Sequence, residues 1–371
     1  MKIGLDARLY GSQHGGIGRY TENLIKQLEL QTDQNTKLFI FLSKDNFNDY
    51  QPSNKNFQKV LADFKVYGLK EQLLFPPLLK KYQLDLVHFP HFNAPIFYRG
   101  KFIVTIHDLI ISHYPNSRTT TLNPLVYKIK LFFYKVIIKN AAQKAKKIIA
   151  VSKYTKKDII KLLKIEPAKI IVTYEGVDLP KTSQMNCNEL KTKLGISKDF
   201  LLYVGSAYPH KNLEKLISAF KIIDNPNLQL VLVGKKNYFY NRLAKEIKKE
   251  KLENNVILTD YLSDDELTGL YKSAKLYVFP SLIEGFGLPP LEAQSYSLPV
   301  VSSNSTCLPE ILGESAVYFD PDNIQTIVKV ITNTLNNPEL LASLKVKGLE
   351  NVKRYSWDDC AQKTLKEYQQ N

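Results

Sequence analysis

Leu201-Leu-Tyr-Val-Gly-Ser-Ala-Tyr-Pro-His-Lys-Asn-Leu-Glu-Lys-Leu-Ile-Ser-Ala-Phe220 decides the fold. It opens on a short apolar run, turns through a loop marked by Gly205 and Pro209, and continues with Leu213, Leu216, Ile217 and Phe220 at helical spacing. A strand buried on both faces reads as an unbroken apolar run, and a strand followed by an amphipathic helix is the unit from which parallel sheets are built. The pattern recurs on either side of this stretch. Apolar runs at Leu228–Val233, Val256–Leu258, Leu276–Phe279, Pro299–Val301 and Ala316–Phe319 are each bounded by Gly, Pro, Ser or Asp and separated by helical spacing. Upstream, strands are expected at Lys2–Asp6, Leu38–Leu42, Leu84–Phe89, Phe102–Ile106, Ile148–Val151 and Ile170–Tyr174. The reading is α/β throughout, with doubly wound sheets that bind ligands at the carboxyl ends of their strands.

The 371 residues are too many for one ordinary core and suit two domains. The break is placed at Tyr174 to Pro180, followed by the polar stretch Lys181 to Glu189. The expected division is 1–180, 181–355 and a terminal helix in 356–371, where Trp357, Ala361, Leu365 and Tyr368 recur at steps of four, four and three. Cys187, Cys307 and Cys360 are few and far apart, so neither a disulfide framework nor a cysteine metal cluster is expected, and a reducing cytoplasm fits. Asp6 and Arg8 interrupt the first apolar stretch, which argues against a signal peptide, and no apolar run is long enough for a transmembrane helix.

Charge is uneven. Residues 1–180 hold 28 basic and 14 acidic side chains, whereas residues 181–371 hold 23 and 22. Between Asp108 and Asp158 there is no acidic residue, against ten Lys and Arg118. Within this region Leu122–Lys147 is expected to be helical, with Lys128, Lys135, Lys139 and Lys146 on one narrow face beside Phe132, and Leu125, Ile129, Phe133, Val136 and Ile137 making apolar contacts elsewhere. A plain solvated face and a surface that docks on anionic lipid through the basic region 118–157 are both compatible with this pattern. Nucleic acid is not expected as a partner, because the aromatic and Gly-loop patterning of an RNA module is missing.

Four loops after strands carry chemistry. Tyr10 to Tyr20 places Gly15, Gly16 and Gly18 before a helix, where backbone N–H groups can approach a phosphate or sugar; Thr21 breaks the dinucleotide fingerprint. A plain turn explains this loop equally well. His107-Asp108 ends the Phe102–Ile106 strand, where a structural histidine is the simpler explanation. Gly205 to Asn212 sets Lys211 where the next helix begins, placed to hold a diphosphate. The richest is Pro280-Ser-Leu-Ile-Glu-Gly-Phe-Gly-Leu-Pro-Pro-Leu-Glu292. There Gly285 and Gly287 expose backbone N–H groups, Pro289 and Pro290 suit a first helical turn, and Glu292 is expected in that turn. Glu284 and Glu292 can accept hydrogen bonds from sugar hydroxyls. Asp320-Pro-Asp322 reads as a turn rather than a metal site.

Glu284 to Glu292, with Gly-Phe-Gly inside a Glu-x7-Glu pattern, resembles the signature of the retaining, nucleotide-sugar-dependent glycosyltransferases of family 4, which have the two-domain GT-B fold. Leu5–Arg8, Gly16–Tyr20, His107–Leu109, Val151-Ser152, Gly176–Asp178, Tyr203–Gly205, Lys211-Asn212, Leu232–Gly234, Leu308–Glu310 and Ser356-Trp357 fall in the family's order. Leu5–Arg8 and His107–Leu109 are similar to the mannosyltransferase-like branch that builds surface polysaccharides.

The resemblance implies two Rossmann-like domains facing across a cleft, with the terminal helix crossing back to the first. It implies that Lys211 binds the donor diphosphate and that Glu284 holds hydroxyls of the transferred sugar, with Gly285, Phe286, Gly287 and Leu288 beside it. Glu292 would bind the ribose, Gly15 and Gly16 would approach donor phosphates and acceptor, and His107 would lie next to the sugar. Many relatives carry an Arg shortly after the glycine of the third loop. Here Ser206 and Ala207 follow Gly205, so Lys211 and helix dipoles are expected to hold the diphosphate, with His210 and Ser206 as further contacts. The expected activity is retaining, metal-independent transfer of a hexose, with GDP-mannose favoured as donor substrate and no cofactor. The acceptor would be a lipid-linked glycan at the inner face of the cell membrane. Paired carboxylates at Glu284 and Glu292 also fit a glycosidase or phosphorylase, and a non-catalytic sugar or nucleotide binder is a further alternative.

Overall fold

Among the described residues thirteen short strands, nearly all apolar, pair in parallel and leave their helices to cover both faces. The computed structural model describes residues 1–114, 123–178, 180 and 185–371. Arg118, Leu122, Leu179 and the start of the polar stretch at 181–184 lie outside the described residues. The chain divides into two compact units: 1–114, 123–176 and 356–371 form the first, and 177–355 the second.

In the first unit the strands are β1 (Lys2–Asp6), β2 (Lys37–Leu42), β3 (Phe57–Leu61), β4 (Leu86–Phe89), β5 (Phe102–Ile106), β6 (Ile148–Ala150) and β7 (Ile170–Val172). They form one parallel sheet in the order β3-β2-β1-β4-β5-β6-β7. The strand order reverses between β1 and β4, which opens a crevice at their carboxyl ends. Alternate strand residues feed two cores. Phe41, Val87 and Val104 pack under the helices Leu69–Lys81, Pro124–Lys144 and Lys153–Leu163. Leu5, Ile40 and Ile103 pack under the helix Gly15–Gln31 and the terminal helix Trp357–Gln370. That terminal helix buries Trp357, Cys360, Ala361 and Tyr368 in the same core as Tyr20 and Leu24. Gly176 makes the return possible, since a Cβ there would stand 2.2 Å from the Trp357 backbone nitrogen.

The second unit repeats the plan. Its strands β8 (Asp199–Val204), β9 (Leu228–Val233), β10 (Val256–Leu258), β11 (Leu276–Phe279), β12 (Val300–Ser303) and β13 (Ala316–Phe319) run parallel in the order β10-β9-β8-β11-β12-β13. The reversal falls between β8 and β11. These are the two strands that feed the loops Gly205–Asn212 and Pro280–Gly287.

Two sequence expectations need correction. The edge strand β3 is an addition to the expected set. Only Phe57 and Val60 of its five residues are buried, so it lacks the continuous apolar run that marks its neighbours. The basic helix runs Pro124–Lys144, capped by the Asn123 side chain, and Leu125, Ile129, Phe133 and Val136 are exposed, while Ile137 is buried. Its lysine row therefore lies beside an exposed apolar surface rather than opposite a buried one.

Candidate active site

β8 ends at Val204, and the chain turns at Gly205, whose φ of +152° suits glycine. A short turn at Pro209–Lys211 and Asn212 in the left-handed region lead into the helix Leu213–Ile223. The Asn212 side chain donates to the carbonyls of Pro280 and Pro321, tying this corner to the loop after β11. Leu282 N–H donates to the carbonyl of His210 at 2.8 Å, a second tie between the same two loops. Strand order and these bonds bring together two side chains 73 residues apart: Lys211 Nζ stands 2.5 Å from Glu284 Oε1. Both side chains are mostly sheltered, at 16% and 10% exposure, and the ammonium lies 5.7 Å from the centre of the Phe279 ring.

The glutamate loop is fixed from behind by the loop after β12. Glu284 N–H donates to Thr306 Oγ1 at 3.1 Å, and the buried Cys307 thiol donates to the carbonyls of Glu284 and Phe286. Burial, with Glu284 and Glu310 nearby, pushes that thiol well above its ordinary pKa, so it remains a donor. Thr306 has a φ of +57°, a costly conformation for a β-branched residue. Phe286 is buried edge-on against Tyr355. Gly287, at φ +100°, turns the chain into the helix Leu288–Ser295. Glu292 is the fifth residue of that helix, so it opens the second turn and not the first, and it accepts a hydrogen bond from Tyr271 Oη at 3.1 Å.

Other expected residues of this unit fall around the pair. The Ser206 carbonyl accepts from Tyr203 Oη at 2.8 Å. His210 stacks on Tyr208 with rings 9° from parallel. Burial and then the Lys211 charge lower its pKa to about 4, so near neutrality it offers hydrogen bonds but no positive charge. Asp320-Pro-Asp322 is a turn, in which Asp322 N–H donates to Asp320 Oδ1 and Lys215 pairs with Asp322.

In the first unit, Gly15 and Gly16 open the helix Gly15–Gln31. A Cβ at either would meet nothing within 4 Å, and Gly16 has no left-handed φ, so packing does not demand glycine there. His107 follows β5 with both ring nitrogens engaged: Nδ1 is 2.9 Å from Glu175 Oε1 and Nε2 donates to the Pro90 carbonyl at 2.9 Å. Burial acts to lower its pKa, but the Glu175 hydrogen bond and charge outweigh it and the net shift is upward. Arg8 is enclosed by Asp6 and Glu71, both at 2.6 Å, and stacks on Phe75. Among the described residues no group of three His, Cys, Asp or Glu could hold a metal ion.

Two family models match this chain. One, described as Glycosyltransferase Family 4, covers residues 14–181, and the other, Glycosyl transferases group 1, covers residues 188–350. The chain is a family 4 glycosyltransferase of the GT-B fold. It is 28% identical over 379 residues to the O-antigen chain mannosyltransferase B of Escherichia coli, with 95% of each chain covered. Among solved structures it resembles the sucrose-phosphate synthase of Thermosynechococcus elongatus, with a TM-score of 0.79 and 19% identity, covering 100% of this chain and 98% of that one. It also resembles Anabaena Alr3699/HepE, solved with UDP-glucose, with a TM-score of 0.78 and 18% identity over all of both chains.

Sequence reasoning missed four residues around the sites of this glycosyltransferase. Thr306, Cys307 and Tyr271 support the glutamate loop and Glu292, and Glu175 holds His107. Each acts through a contact made far along the chain, so no local spacing announces it. Glu175 alone carried a signal, as a carboxylate beside Gly176 where the strand runs into the hinge.

Proposed function

We propose that this glycosyltransferase moves a hexose, mannose in the favoured reading, from a nucleoside diphosphate sugar to a hydroxyl of a growing lipid-linked cell-surface glycan, with retention and without a metal. GDP-mannose is the favoured donor. The observation that carries the reading is the Lys211–Glu284 pair at the strand-order reversal of the second sheet. A cation and a carboxylate side by side match the two needs of such a donor: one for the diphosphate and one for hydroxyls of the sugar. As the glycosidic bond breaks, charge grows on the departing diphosphate. Lys211 and the N–H groups of the Gly285–Gly287 segment would stabilise that charge most at the transition state. Glu292, steadied by Tyr271, is assigned to the ribose. Ser206 and His210 are assigned to the phosphates as hydrogen-bonding groups, which leaves Lys211 as the positive charge. Gly15, Gly16 and His107 are assigned to the acceptor-side unit. The relative named as an O-antigen mannosyltransferase supports mannose and a surface glycan. The basic region 118–157 supports an acceptor presented at an anionic membrane, on its cytoplasmic face.

A glycosidase needs two carboxylates free to serve as acid and base or nucleophile. The salt bridge of Glu284 with Lys211 favours transfer from an anionic donor instead. The test is a thermal-shift series with GDP-mannose, UDP-glucose, UDP-N-acetylglucosamine and the free diphosphates, followed by transfer from the radiolabelled donor with and without EDTA. A donor at one hundred times its Kd should stabilise the protein by about 2.7 kcal/mol. No shift with any nucleotide would overturn the reading, and activity lost in EDTA but restored by manganese would remove its metal-independent part.

A further inference from the structure

At the strand-order reversal of the first sheet, a crevice opens beside the carboxyl ends of β1 and β4, with Asp6, Leu9, Ile17, Val66, His91 and Asn93 in its lining. Asn93, four residues past β4, is 3% exposed. Its Nδ2 donates to Glu71 Oε1 at 2.7 Å. Glu71 cannot take this amide the other way round. Its Oε1 also accepts from Arg8, and its Oε2 accepts from the Tyr67 N–H, so both oxygens already serve as acceptors. The amide orientation is therefore fixed, with Oδ1 turned away from Glu71. That oxygen is buried and has no hydrogen-bond partner among the described residues. A buried acceptor without a donor is destabilising, and this amide cannot flip to escape it. Two residues earlier, His91 Nδ1 is buried in the same condition, while Nε2 stands 3.3 Å from Tyr67 Oη. Burial, and then the neighbouring His107, lowers the His91 pKa to about 3, so near neutrality the ring carries no charge.

We propose that this crevice takes a ring of the acceptor sugar, that Asn93 Oδ1 receives one of its hydroxyl groups, and that Glu71 is the positioning residue that aims the amide. The lining decides the ligand class. Leu9, Ile17, Val66 and Pro90 offer an apolar wall to the C–H face of a sugar ring. The carboxylate in the lining, Asp6, already has Arg8 on both its oxygens. Asp6 and Glu71 set two carboxylates against the single cation of Arg8, which disfavours a phosphate or any other anion. A lipid tail would suit the wall but supply no hydrogen to Asn93. A neutral polyhydroxyl ring meets both demands. The crevice also adjoins His107, whose Nε2 donates to the Pro90 carbonyl and whose ring centre lies 6.5 Å from that of His91. The inference rests on the acceptor-side reading of this unit and adds to it the residue that reads an acceptor hydroxyl. A site built around such a bond discriminates sharply against an analogue that lacks the hydroxyl, because the buried acceptor is then left unmet.

The test is an NMR titration of the full chain, without donor, using the octyl glycosides of mannose, glucose, galactose and N-acetylglucosamine. At least one of the four is expected to bind, and one of its monodeoxy analogues should bind roughly tenfold more weakly or worse. N93A should weaken the parent glycoside by about tenfold and bind that deoxy analogue equally well, with the Kd for GDP and UDP unchanged. E71Q should likewise lose the discrimination between parent and deoxy analogue, since its own amide lets that of Asn93 turn; a merely structural role would weaken both alike. I17F, which enlarges a partly exposed residue of the wall, should also lose glycoside binding, and it tests the location should N93A fail to fold. In transfer assays N93A should raise the KM for the glycoside and leave kcat within about threefold. Binding of none of the four glycosides would overturn the proposal, as would deoxy analogues that all bind like the parent. So would native glycoside affinity in both N93A and I17F, the crevice then holding an ordered water only. Glycoside binding in a protein that binds no nucleotide would refute the donor reading and leave this one intact.

Discussion

Replacing Glu284 by Gln separates the two jobs assigned to the Lys211–Glu284 pair. The ammonium and carboxylate stand 2.5 Å apart with 16% and 10% of their side chains exposed. Exposed pairs contribute ~0–1 kcal/mol, and breaking a fully buried one costs ~3–5 kcal/mol. This sheltered but open pair falls between, so E284Q should lower unfolding stability by about 2 kcal/mol. Binding should move the other way for a free nucleoside diphosphate. In the native site an incoming pyrophosphate competes with Glu284 for Lys211 and meets a carboxylate of its own sign. The substitution removes both obstacles and keeps an amide of nearly the same shape. A gain of about 1 kcal/mol is expected, which tightens Kd roughly fivefold. Transfer should nevertheless fall by about a hundredfold, the scale seen when one preorganised polar contact to a transition state is removed. Isothermal titration with GDP and UDP, beside transfer from the radiolabelled donor, reads both quantities. K211M should lose diphosphate affinity and transfer together. If E284Q bound every diphosphate more weakly than the native protein, the competition argument would be wrong and Glu284 would be no rival for the lysine.

Three further outcomes follow from local geometry. Thr306→Gly relieves a left-handed β-branched residue but removes the hydroxyl that receives Glu284 N–H; its stability should change by less than about 1 kcal/mol while transfer falls about tenfold, and Thr306→Ser should restore transfer. Gly176→Ala forces a Cβ to 2.2 Å from the Trp357 nitrogen and 2.5 Å from its indole Cγ, so urea unfolding should show a loss of about 3 kcal/mol. His88 is buried, bonded to Tyr368 and Thr105 hydroxyls, and held by burial near a pKa of about 3. The unfolded chain protonates this ring near pH ~6.5, so its stabilising effect is complete above that pH and is lost by about 1.4 kcal/mol per pH unit as pH falls toward 3. Comparing urea midpoints at pH 7 and pH 5 for the native protein and H88Q checks the slope; identical pH dependence in both would refute the assignment. His107 works in the opposite sense. Its raised folded pKa makes its contribution complete below pH ~6.5 and lost as pH rises through the folded value.

Much of this fold is written in local patterns. A strand flanked by two others must be apolar on both faces, and β8, β9, β11 and β12 read that way at once. β3 does not, because an edge strand tolerates Gln58 and Lys59 and its signal sinks to two buried residues. Lys211 and Glu284 are legible because each follows a recognisable strand and is flanked by residues with special backbone roles. Their salt bridge is not, since only the crossover order β8-β11 brings them together. Glu292 falls one residue further into its helix than its spacing from the prolines suggests, because Leu288, not a proline, starts that helix, and this carries it past the first turn. The exposed stripe on Pro124–Lys144 escapes the sequence for a different reason. Apolar spacing reports that a face avoids water, and cannot say whether the chain itself or another medium covers it.

The repeated strand order also bears on why one unit and not the other would suit the anionic donor proposed above. Both sheets reverse at the equivalent place, and both bring a cation and carboxylates to it. In the first, Arg8 is 2% exposed; its guanidinium donates to both Asp6 oxygens, to Glu71 and to the Phe64 carbonyl, and lies on Phe75. Asn93 and the Tyr67 N–H complete Glu71. An arginine so nearly satisfied and so deeply enclosed fixes the loop after β1, and a phosphate would have to strip two carboxylates from it before binding. In the second, Lys211 has one carboxylate partner, an ammonium that can turn, and a flexible stem. The same topology therefore encloses the cation of one sheet and, on the proposed reading, leaves that of the other free to exchange partners. Arg8→Lys should accordingly damage stability, by removing the two-pronged contact with Asp6, and leave the affinity of the isolated nucleotide unchanged. A weaker nucleotide Kd in that variant, with stability intact, would place the anion at the first reversal and break this division of labour.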